Sequence, residues 1–298
     1  MLFSPVEFFY PMNNTLRDYI RLVKFEHTIF ALPFALIGFF LAVEQQPGGL
    51  SFSLLLKVIG CMIFARNAAM GFNRYLDRTI DAANPRTSMR EIPAGVVSPK
   101  KALIFVIVNS SLFVVLSWMI NDLCFYLSPV ALLVILGYSY TKRITPLCHF
   151  ILSSGLALAP IGAYLAVTGQ FAITPLLFSM VVFFWVSGFD IIYACQDVDF
   201  DRSHQLNSIP AMMGVKNALR LSVFVHMITT VFVIIAGLTL HAGWVYWIGA
   251  AIFISLLTYQ HVILKPGDLS RVNLAFGTTN GIASVIFAIF VIISFYLI

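Results

Sequence analysis

Long apolar runs, each close to the length of a helix that crosses a bilayer, recur along the whole chain. The hydrocarbon core of a membrane is about 30 Å thick and requires about 20 apolar residues per helix. Nine segments approach that length: 27–43, 54–72, 102–120, 123–140, 147–167, 175–196, 218–239, 244–264 and 276–297. Only a tight turn at Asn121 and Asp122 divides the third from the fourth, so the count is eight or nine. The pattern predicts an all-α membrane protein, a bundle of about nine transmembrane helices.

Composition excludes a water-soluble fold. Hydrophobic residues make up 60% of the 298 residues and charged residues 10%, against roughly a quarter charged in soluble domains. No polar linker divides the chain, so residues 1–298 are expected to form a single domain. The net charge of +5 does not indicate nucleic acid, because the basic residues are dispersed over short links and form no aromatic-interleaved surface. Membrane lipid is the expected surrounding, and no obligate protein partner is implied.

The basic residues are distributed unevenly between the two ends of the predicted helices. Sixteen of the eighteen lie at one end, and the exceptions are Lys57 at the opposite end and Arg66 inside the second helix. By the positive-inside rule this end is cytoplasmic, and so is the N-terminus. The opposite links are short and nearly uncharged, so chemistry is expected on the cytoplasmic face.

Two acidic motifs follow the second and sixth helices on that face. Asn73, Asp77 and Asp81 are spaced by four residues, and so are Asp197 and Asp201. If the helices continue through them, each set forms one oxygen-rich stripe, and a bound cation would relieve its like-charge repulsion. Oxygen ligands without His or Cys select a hard ion such as Mg²⁺. One such motif alone is typical of a solvated helix end, whereas two on one face favour a shared metal site.

Cations accompany both motifs and make a diphosphate the natural ligand. Mg²⁺ with Arg and Lys side chains holds a diphosphate and stabilises the charge that develops as it leaves. Each cation could equally be an ordinary positive-inside residue, and Lys142 and Arg90 are favoured as ligands. The candidates are Arg78, Arg86, Arg90, Lys142, Arg143 and Arg202.

Arg66 lies about two turns deeper in the second helix than Asn73. A cation at that depth is costly and normally faces a cavity or a partner. It is well placed to receive a substrate carboxylate in bidentate fashion. The alternatives are that it snorkels to the surface or pairs with Asp190 of the sixth helix, which is itself a candidate for the pocket.

The motifs NxxxDxxxD at 73–81, YxxxDxxxD at 193–201 and YxxxK at 138–142 resemble those of the UbiA superfamily of intramembrane aromatic prenyltransferases. The resemblance covers most of the chain. It implies a helical bundle around a central cavity and an enzyme that transfers a prenyl chain from its diphosphate to an aromatic ring. It also implies that Mg²⁺ is the cofactor and that polyprenyl diphosphate and an aromatic acid are the substrates.

The same resemblance implies roles for individual residues. Asp77, Asp81, Asp197 and Asp201 would hold Mg²⁺ against the diphosphate, with Asn73 assisting. Lys142 and Arg90 would bind phosphate oxygens of the donor, and Tyr138 would line the donor site. Arg66 would hold the acceptor carboxylate. Asp199 does not share the helix face of Asp197 and Asp201, so no metal is assigned to it.

The acceptor has two main candidates. 4-Hydroxybenzoate, for ubiquinone, is the commonest within the superfamily, while stretches such as 84–87 and 90–95 resemble a branch acting on 1,4-dihydroxy-6-naphthoate for menaquinone. Haem O synthase chemistry is less favoured. A transporter would require ionisable residues deep in several helices, and here only Arg66 and Asp190 approach that depth. A bacterial inner membrane is the expected location.

Overall fold

The computed structural model of the protein describes residues 14–24, 30–46 and 48–297. Within these ranges the chain is almost entirely helical. The helices are α1 Asn14–Leu22, α2 Leu32–Glu44, α3 Phe52–Leu76, α4 Arg78–Ala83, α5 Pro99–Trp118, α6 Asp122–Thr141, α7 Cys148–Thr168, α8 Ile173–Ala194, α9 Val198–Ser203, α10 Ile209–Met213, α11 Val215–Thr239, α12 Trp244–Ile263 and α13 Asn280–Ser294. A 3-10 turn, Cys195–Asp197, joins α8 to α9, and a π-helical turn, Leu274–Thr279, leads into α13.

Eight helical segments of the described chain are long and apolar enough to cross a membrane, and α2 is a shorter apolar helix of 13 residues. These nine segments correspond one to one with the predicted ones, so the predicted all-α membrane bundle is confirmed. The first predicted segment starts at residue 27, and residues 27–29 lie outside the described ranges. The cytoplasmic placement of the N-terminus stays a prediction.

Polar residues at the links fix where the helices begin and end. Ser51 caps α3 by accepting a hydrogen bond from the Leu54 amide, and Asn121 Oδ1 caps α6 by accepting one from the Cys124 amide at 2.8 Å. Such caps satisfy amides that the first helical turn leaves without partners. Gly169 ends α7 with φ +64°, a conformation that favours glycine. The tight turn at Asn121 therefore separates two helices, α5 and α6, as predicted.

The helices α2, α7, α8, α11, α12 and α13 contact one another in sequence around the bundle, and α3, α5 and α6 pack together beside α7. A close backbone approach joins α2 to α7 at Gly38. A Cβ on Gly38 would lie 2.0 Å from the Pro160 carbonyl oxygen, so only glycine fits there. Small residues at such crossings let membrane helices pack backbone to backbone.

An aromatic column runs through the core to the charged end of the bundle. Trp185 is fully buried and packs on Phe189 at 5.1 Å between ring centroids. Phe189 in turn contacts Phe276 at 5.3 Å, and Phe276 lies 4.2 Å from Tyr193. The column therefore connects the apolar interior to the end of α8, where the second acidic motif begins.

Because consecutive spans alternate in direction, one end of the bundle collects the ends of α3, α6, α8 and α12 and the starts of α5, α7, α11 and α13. Both acidic motifs and the Lys142-Arg143 pair lie at this end. The fold thus brings three links that are distant in sequence to one surface.

Candidate active site

The first motif lies at a break between two helices. α3 ends at Leu76, Asp77 follows with φ −86° and ψ 6°, and α4 begins at Arg78. The interpretation that one helix continues through Asp81 is therefore wrong. The backbone still keeps the spacing, because the Asp81 amide donates to the Asp77 carbonyl at 2.7 Å. Asn73 Nδ2 also donates to Asp77 Oδ2 at 2.9 Å, so these two side chains are adjacent as predicted.

The second motif shows the same arrangement. α8 ends at Ala194, a 3-10 turn carries the chain to Asp197, and α9 begins at Val198. A continuous stripe is again absent from this described segment. In both motifs the leading aspartate thus stands at the entrance of a six-residue helix that carries the second aspartate.

The aspartates of the first motif are paired with cations. Asp77 Oδ1 lies 2.7 Å from Arg143 Nη2, and Asp81 Oδ1 lies 2.7 Å from Arg90 Nη1. The buried Arg74 approaches Asp81 Oδ2 at 4.0 Å. Arg90, predicted to bind phosphate, therefore contacts a carboxylate in this structure.

Asp197 of the second motif is held by the link that follows the first. Arg86 Nε donates to Asp197 Oδ1 at 2.9 Å and Arg86 Nη2 to Oδ2 at 2.5 Å, a bidentate pair. Asn84 Nδ2 adds a hydrogen bond to Oδ1 at 3.1 Å. Arg86 Nη1 also donates to the Tyr193 hydroxyl, and its guanidinium lies 5.2 Å from the Tyr193 ring centroid. Fork-to-fork pairing of this kind fixes direction as well as distance.

Asp201 is fully buried and has two polar neighbours. Lys142 Nζ lies 2.7 Å from its Oδ1, and the Ser208 hydroxyl donates to its Oδ2 at 2.7 Å. Ser208 belongs to a short strap, residues 206–209, whose Asn207 amide donates to the Lys142 carbonyl at 2.7 Å. The strap therefore positions both members of the Asp201–Lys142 ion pair.

Lys142 and Arg143 connect the two motifs to each other. These consecutive residues follow α6, and Lys142 pairs with Asp201 of the second motif while Arg143 pairs with Asp77 of the first. The four aspartates with Arg74, Arg86, Arg90, Lys142 and Arg143 form what we call the aspartate cluster. It contains one more cation than carboxylates, so as it stands it favours an anion.

The donor set of the cluster fits a hard divalent cation. Across residues 14–24, 30–46 and 48–297, no three acidic, His or Cys side chains converge as a metal site. One buried oxygen is nevertheless under-satisfied, because Asp81 Oδ2 accepts no hydrogen bond from the described chain and has only Arg74 at 4.0 Å. Asp201 Oδ1, by contrast, has the Lys142 ammonium at 2.7 Å, within hydrogen-bond distance. Carboxylate oxygens are the type of ligand that Mg²⁺ prefers.

Burial of the leading aspartate of the first motif affects its ionisation. Burial raises the pKa of Asp77 above its ordinary value, and the adjacent Arg143 only partly opposes this effect. Asp81 adds a like charge nearby, which acts in the same direction as burial. A further positive charge near Asp77 would therefore favour its ionised form.

Arg66 and Tyr138 lie below the cluster, within the spans. Arg66 is half-buried on α3, and its Nη2 donates to the Lys24 carbonyl at 3.1 Å. Tyr138 on α6 lies within electrostatic range of Asp77, Arg66 and Arg74. The structure thus brings Arg66, Tyr138 and the first motif to one side of the site.

Asp190 does not pair with Arg66, which corrects one alternative for both residues. Asp190 Oδ2 lies 2.7 Å from His149 Nδ1, and His149 Nε2 accepts a hydrogen bond from the Ile209 amide at 3.3 Å. Asp190 therefore points toward α7, where the buried His149 ties it to the strap.

Five residues at the cluster are favoured weakly or not at all by the sequence. Arg86 and Arg143 are candidate cations but are less favoured than Lys142 and Arg90, while Arg74, Asn84 and Ser208 have no predicted role in the site. The dipeptide Lys142-Arg143 was the available signal, since two consecutive cations after a span can contact two different neighbours. Nothing in the sequence near Ser208 indicates its contact with Asp201.

Comparison with known proteins agrees with this architecture. The sequence model described as the UbiA prenyltransferase family matches residues 31–296. The 4-hydroxybenzoate octaprenyltransferase of Tolumonas auensis is 30% identical over 244 residues, which cover 80% of this chain and 83% of that protein. The enzyme of the same name from Shewanella frigidimarina is 28% identical and covers 93% of this chain and 96% of its own length.

Solved structures show the same fold. The apo structure of a UbiA homolog from Aeropyrum pernix K1 has a TM-score of 0.81 at 31% identity, covering 90% of this chain and 98% of that one. A UbiA homolog from Archaeoglobus fulgidus bound to DMAPP and Mg²⁺ has a TM-score of 0.72 at 20% identity, covering 94% of this chain and 100% of that one. The second likeness is one of fold.

Proposed function

This chain belongs to the UbiA prenyltransferase family, and we propose that it transfers a polyprenyl chain from polyprenyl diphosphate to 4-hydroxybenzoate in ubiquinone biosynthesis. The protein is a membrane-embedded prenyltransferase. Relatives named for the 4-hydroxybenzoate reaction, at 27–30% identity, support this acceptor. The observation that carries the proposal is the aspartate cluster, in which cations from two links hold the carboxylates of both motifs.

The donor diphosphate is the ligand to which the cluster is suited. Asp77, Asp81, Asp197 and Asp201, with Asn73, would hold Mg²⁺, which would neutralise the diphosphate and make it a better leaving group. Arg86, Arg90, Lys142 and Arg143 now contact carboxylates and would turn to phosphate oxygens when metal occupies those carboxylates. Cations aimed at a leaving group stabilise the charge that develops on it.

The bond changes follow from that arrangement. The bond between the allylic carbon and the diphosphate oxygen breaks, and its electron pair leaves with the diphosphate. The ring carbon ortho to the acceptor hydroxyl then attacks the allylic cation, and loss of the ring proton restores aromaticity. Tyr193 and Phe276 are aromatic residues close to the second motif, and their faces would stabilise the cation.

Acceptor binding falls to Arg66, with Tyr138 lining the site between Arg66 and the first motif. A guanidinium held below the charged end suits a carboxylate, because it donates two parallel hydrogen bonds. This position would place the acceptor ring below the diphosphate, with the prenyl carbon between them. The apolar spans around the site would accommodate the tail of a polyprenyl donor.

The location follows from charge and from the relatives. The bacterial relatives and the excess of basic residues at the cluster end support an inner-membrane location with the cluster facing the cytoplasm. The family match over residues 31–296 supports a single catalytic domain.

The test is an acceptor panel. Purified protein is incubated with a long polyprenyl diphosphate, Mg²⁺ and either 4-hydroxybenzoate or 1,4-dihydroxy-6-naphthoate, and products are identified by mass. Prenylated 4-hydroxybenzoate that disappears with EDTA is expected. If only 1,4-dihydroxy-6-naphthoate is prenylated, the acceptor is the menaquinone precursor and not 4-hydroxybenzoate. If product still forms in EDTA, the reaction does not depend on Mg²⁺.

A further inference from the structure

A basic cleft lies on the outer surface of the bundle, apart from the aspartate cluster. It opens between the first turns of α11 and the last turn of α12 and has a volume of about 220 Å³. At roughly 30 Å³ per water, that is room for a phosphate group with part of its glycerol. No residue of the aspartate cluster lines it; its walls are Lys216, Leu219, Arg220, Val223, His261, Leu264 and Pro266.

The α11 wall of this cleft has a cationic end and an apolar end. Lys216, Leu219, Arg220 and Val223 are spaced so that they share one helix face. Lys216 and Arg220 lie in the first two turns of a membrane span, at the boundary with water. Both are exposed, and neither forms an ion pair with any residue that the structure describes. Two uncompensated cations therefore stand at the membrane surface.

A second cleft adjoins the first across Pro266. It measures about 310 Å³ and is lined by Val262, Ile263, Lys265, Asp268 and Arg271. Its two cations face a single carboxylate. The pair of clefts together thus presents four cations and one acid along the ends of α11 and α12.

His261 gives the first cleft a fixed inner wall. The buried His226 has its Nε2 3.1 Å from the Trp185 carbonyl, which can only accept, so this nitrogen carries the proton. His226 Nδ1 must then accept from His261 Nε2 at 2.8 Å. The imidazole of His261 is therefore held in one orientation by a chain of hydrogen bonds that reaches α8.

Below the cations the surface is apolar and exposed. Val223, Phe224 and Met227 follow Lys216 and Arg220 deeper into α11 and face outward. A cationic site above an apolar surface matches a phospholipid, whose phosphate lies at the membrane boundary and whose acyl chains lie directly below it. Basic pockets between membrane helices on the cytoplasmic side are known to favour anionic lipid headgroups.

We propose that the cleft between α11 and α12 binds an anionic phospholipid, with Lys216 and Arg220 on its phosphate and its acyl chains along the apolar face of α11. The two cations complement a phosphate, and the apolar surface below them favours a lipid over a soluble anion. The site is independent of the donor and acceptor sites, so it stands or falls separately from the proposed reaction.

The test measures lipid preference in a defined bilayer. Full-length protein is reconstituted in nanodiscs of phosphatidylcholine alone or with a minor fraction of phosphatidylglycerol, and retained lipid is counted by native mass spectrometry. Wild type is expected to retain phosphatidylglycerol preferentially. Lys216→Gln with Arg220→Gln is expected to weaken that retention about 10- to 30-fold, because each cation near the surface contributes about 1 kcal/mol.

Matched variants separate a site from general surface charge. Lys100→Gln with Lys101→Gln removes two exposed cations at the start of α5 and should leave retention unchanged. Arg220→Lys with Lys216 intact should keep it, which shows that the double variant acts through charge and not through misfolding. Equal thermal unfolding of all variants in pure phosphatidylcholine is the accompanying check.

Three results would overturn the proposal. One is wild type without preference for phosphatidylglycerol, and another is an equal loss in the Lys100/Lys101 pair. The third is complete displacement of the lipid by inorganic phosphate, which would make the cleft a simple anion site.

Discussion

Arg86 grips both carboxylate oxygens of Asp197 across 111 residues of sequence, at 2.9 and 2.5 Å. Asn84, two residues before Arg86, binds the same carboxylate. The link after α3 therefore acts as a clasp on the second motif. This contact ties the two motifs to each other directly, in addition to the packing of their helices.

Replacing Arg86 tests the clasp. Arg86→Ala is expected to lower kcat/KM by about 100-fold or more, the usual effect of losing one preorganised charge-stabilising donor. Arg86→Lys should recover little of it, because an ammonium cannot contact both oxygens in a fork. Turnover is measured as prenylated acid formed per minute. Full activity in Arg86→Lys would show that only charge is needed.

The metal assignment rests on the aspartates of the two motifs. Asp77→Asn and Asp197→Asn should each reduce turnover by about 10³-fold, since a lost metal contact removes several kcal/mol of stabilisation. Asp199→Asn is the matched control, because Asp199 lies inside the second motif but is exposed. Size-exclusion profiles in detergent verify folding. An Asp199 variant as inactive as the others would argue against specific metal ligands.

Arg66 is expected to act on the acceptor. Arg66→Gln should raise the KM for the aromatic acid by about 10- to 100-fold, the value of one charged hydrogen-bonded contact, and leave the KM for the donor near that of wild type. Lys57→Gln, at the opposite end of the same helix, should change neither constant. A larger increase in the KM for the donor would indicate that Arg66 binds the diphosphate and not the acceptor.

The strap gives a prediction about metal demand. The Ser208 hydroxyl holds Asp201 Oδ2 at 2.7 Å, and its loss leaves a buried carboxylate oxygen without a donor. Ser208→Ala is therefore expected to raise the Mg²⁺ concentration for half-maximal activity about 10-fold. Ser203→Ala, an exposed serine on α9, is the control. An unchanged Mg²⁺ requirement would mean that Lys142 alone orients Asp201.

Asp77 predicts the direction of a pH effect. Burial raises the pKa of Asp77 in the folded protein. On acidification Asp77 therefore loses its charge at a higher pH than an ordinary aspartate does, whose pKa is about 3.9. Activity should fall with it. A raised carboxyl pKa stabilises the fold at low pH and loses that contribution as pH rises through the folded value. Acid inactivation at Asp77 should therefore occur in folded protein.

Arg143 provides the control for that titration. Arg143→Gln removes the cation that lowers the pKa of Asp77 and should move the acid limb of kcat/KM to higher pH. The limb is read from a pH profile at one fixed Mg²⁺ concentration below saturation, because bound Mg²⁺ itself favours ionised Asp77, with circular dichroism recorded at each point. A limb that stays in place would assign the titration to another group.

The spans and the two motifs could be predicted from sequence because both are local patterns. Apolar length identifies a membrane helix whatever it packs against, and the aspartates stand out in a chain with thirteen acidic residues. The breaks at Asp77 and at Cys195–Asp197 could not be predicted, because no glycine or proline marks either position. Tertiary contacts decide them.

Partner choice was also beyond the sequence. Asp190 has a cation at similar depth in Arg66, yet pairs with His149, because α8 turns Asp190 toward α7 and away from α3. Likewise, Arg86 and Arg90 lie in one link, and only the path of that link assigns them to different motifs. Spacing identifies which residues are chemically suited, and the path of the chain selects among them.

Each of the four aspartates already has a positive partner supplied by the chain itself. A zinc finger, by contrast, stays unfolded until its metal arrives. The bundle is therefore expected to assemble without Mg²⁺, which only turnover would require.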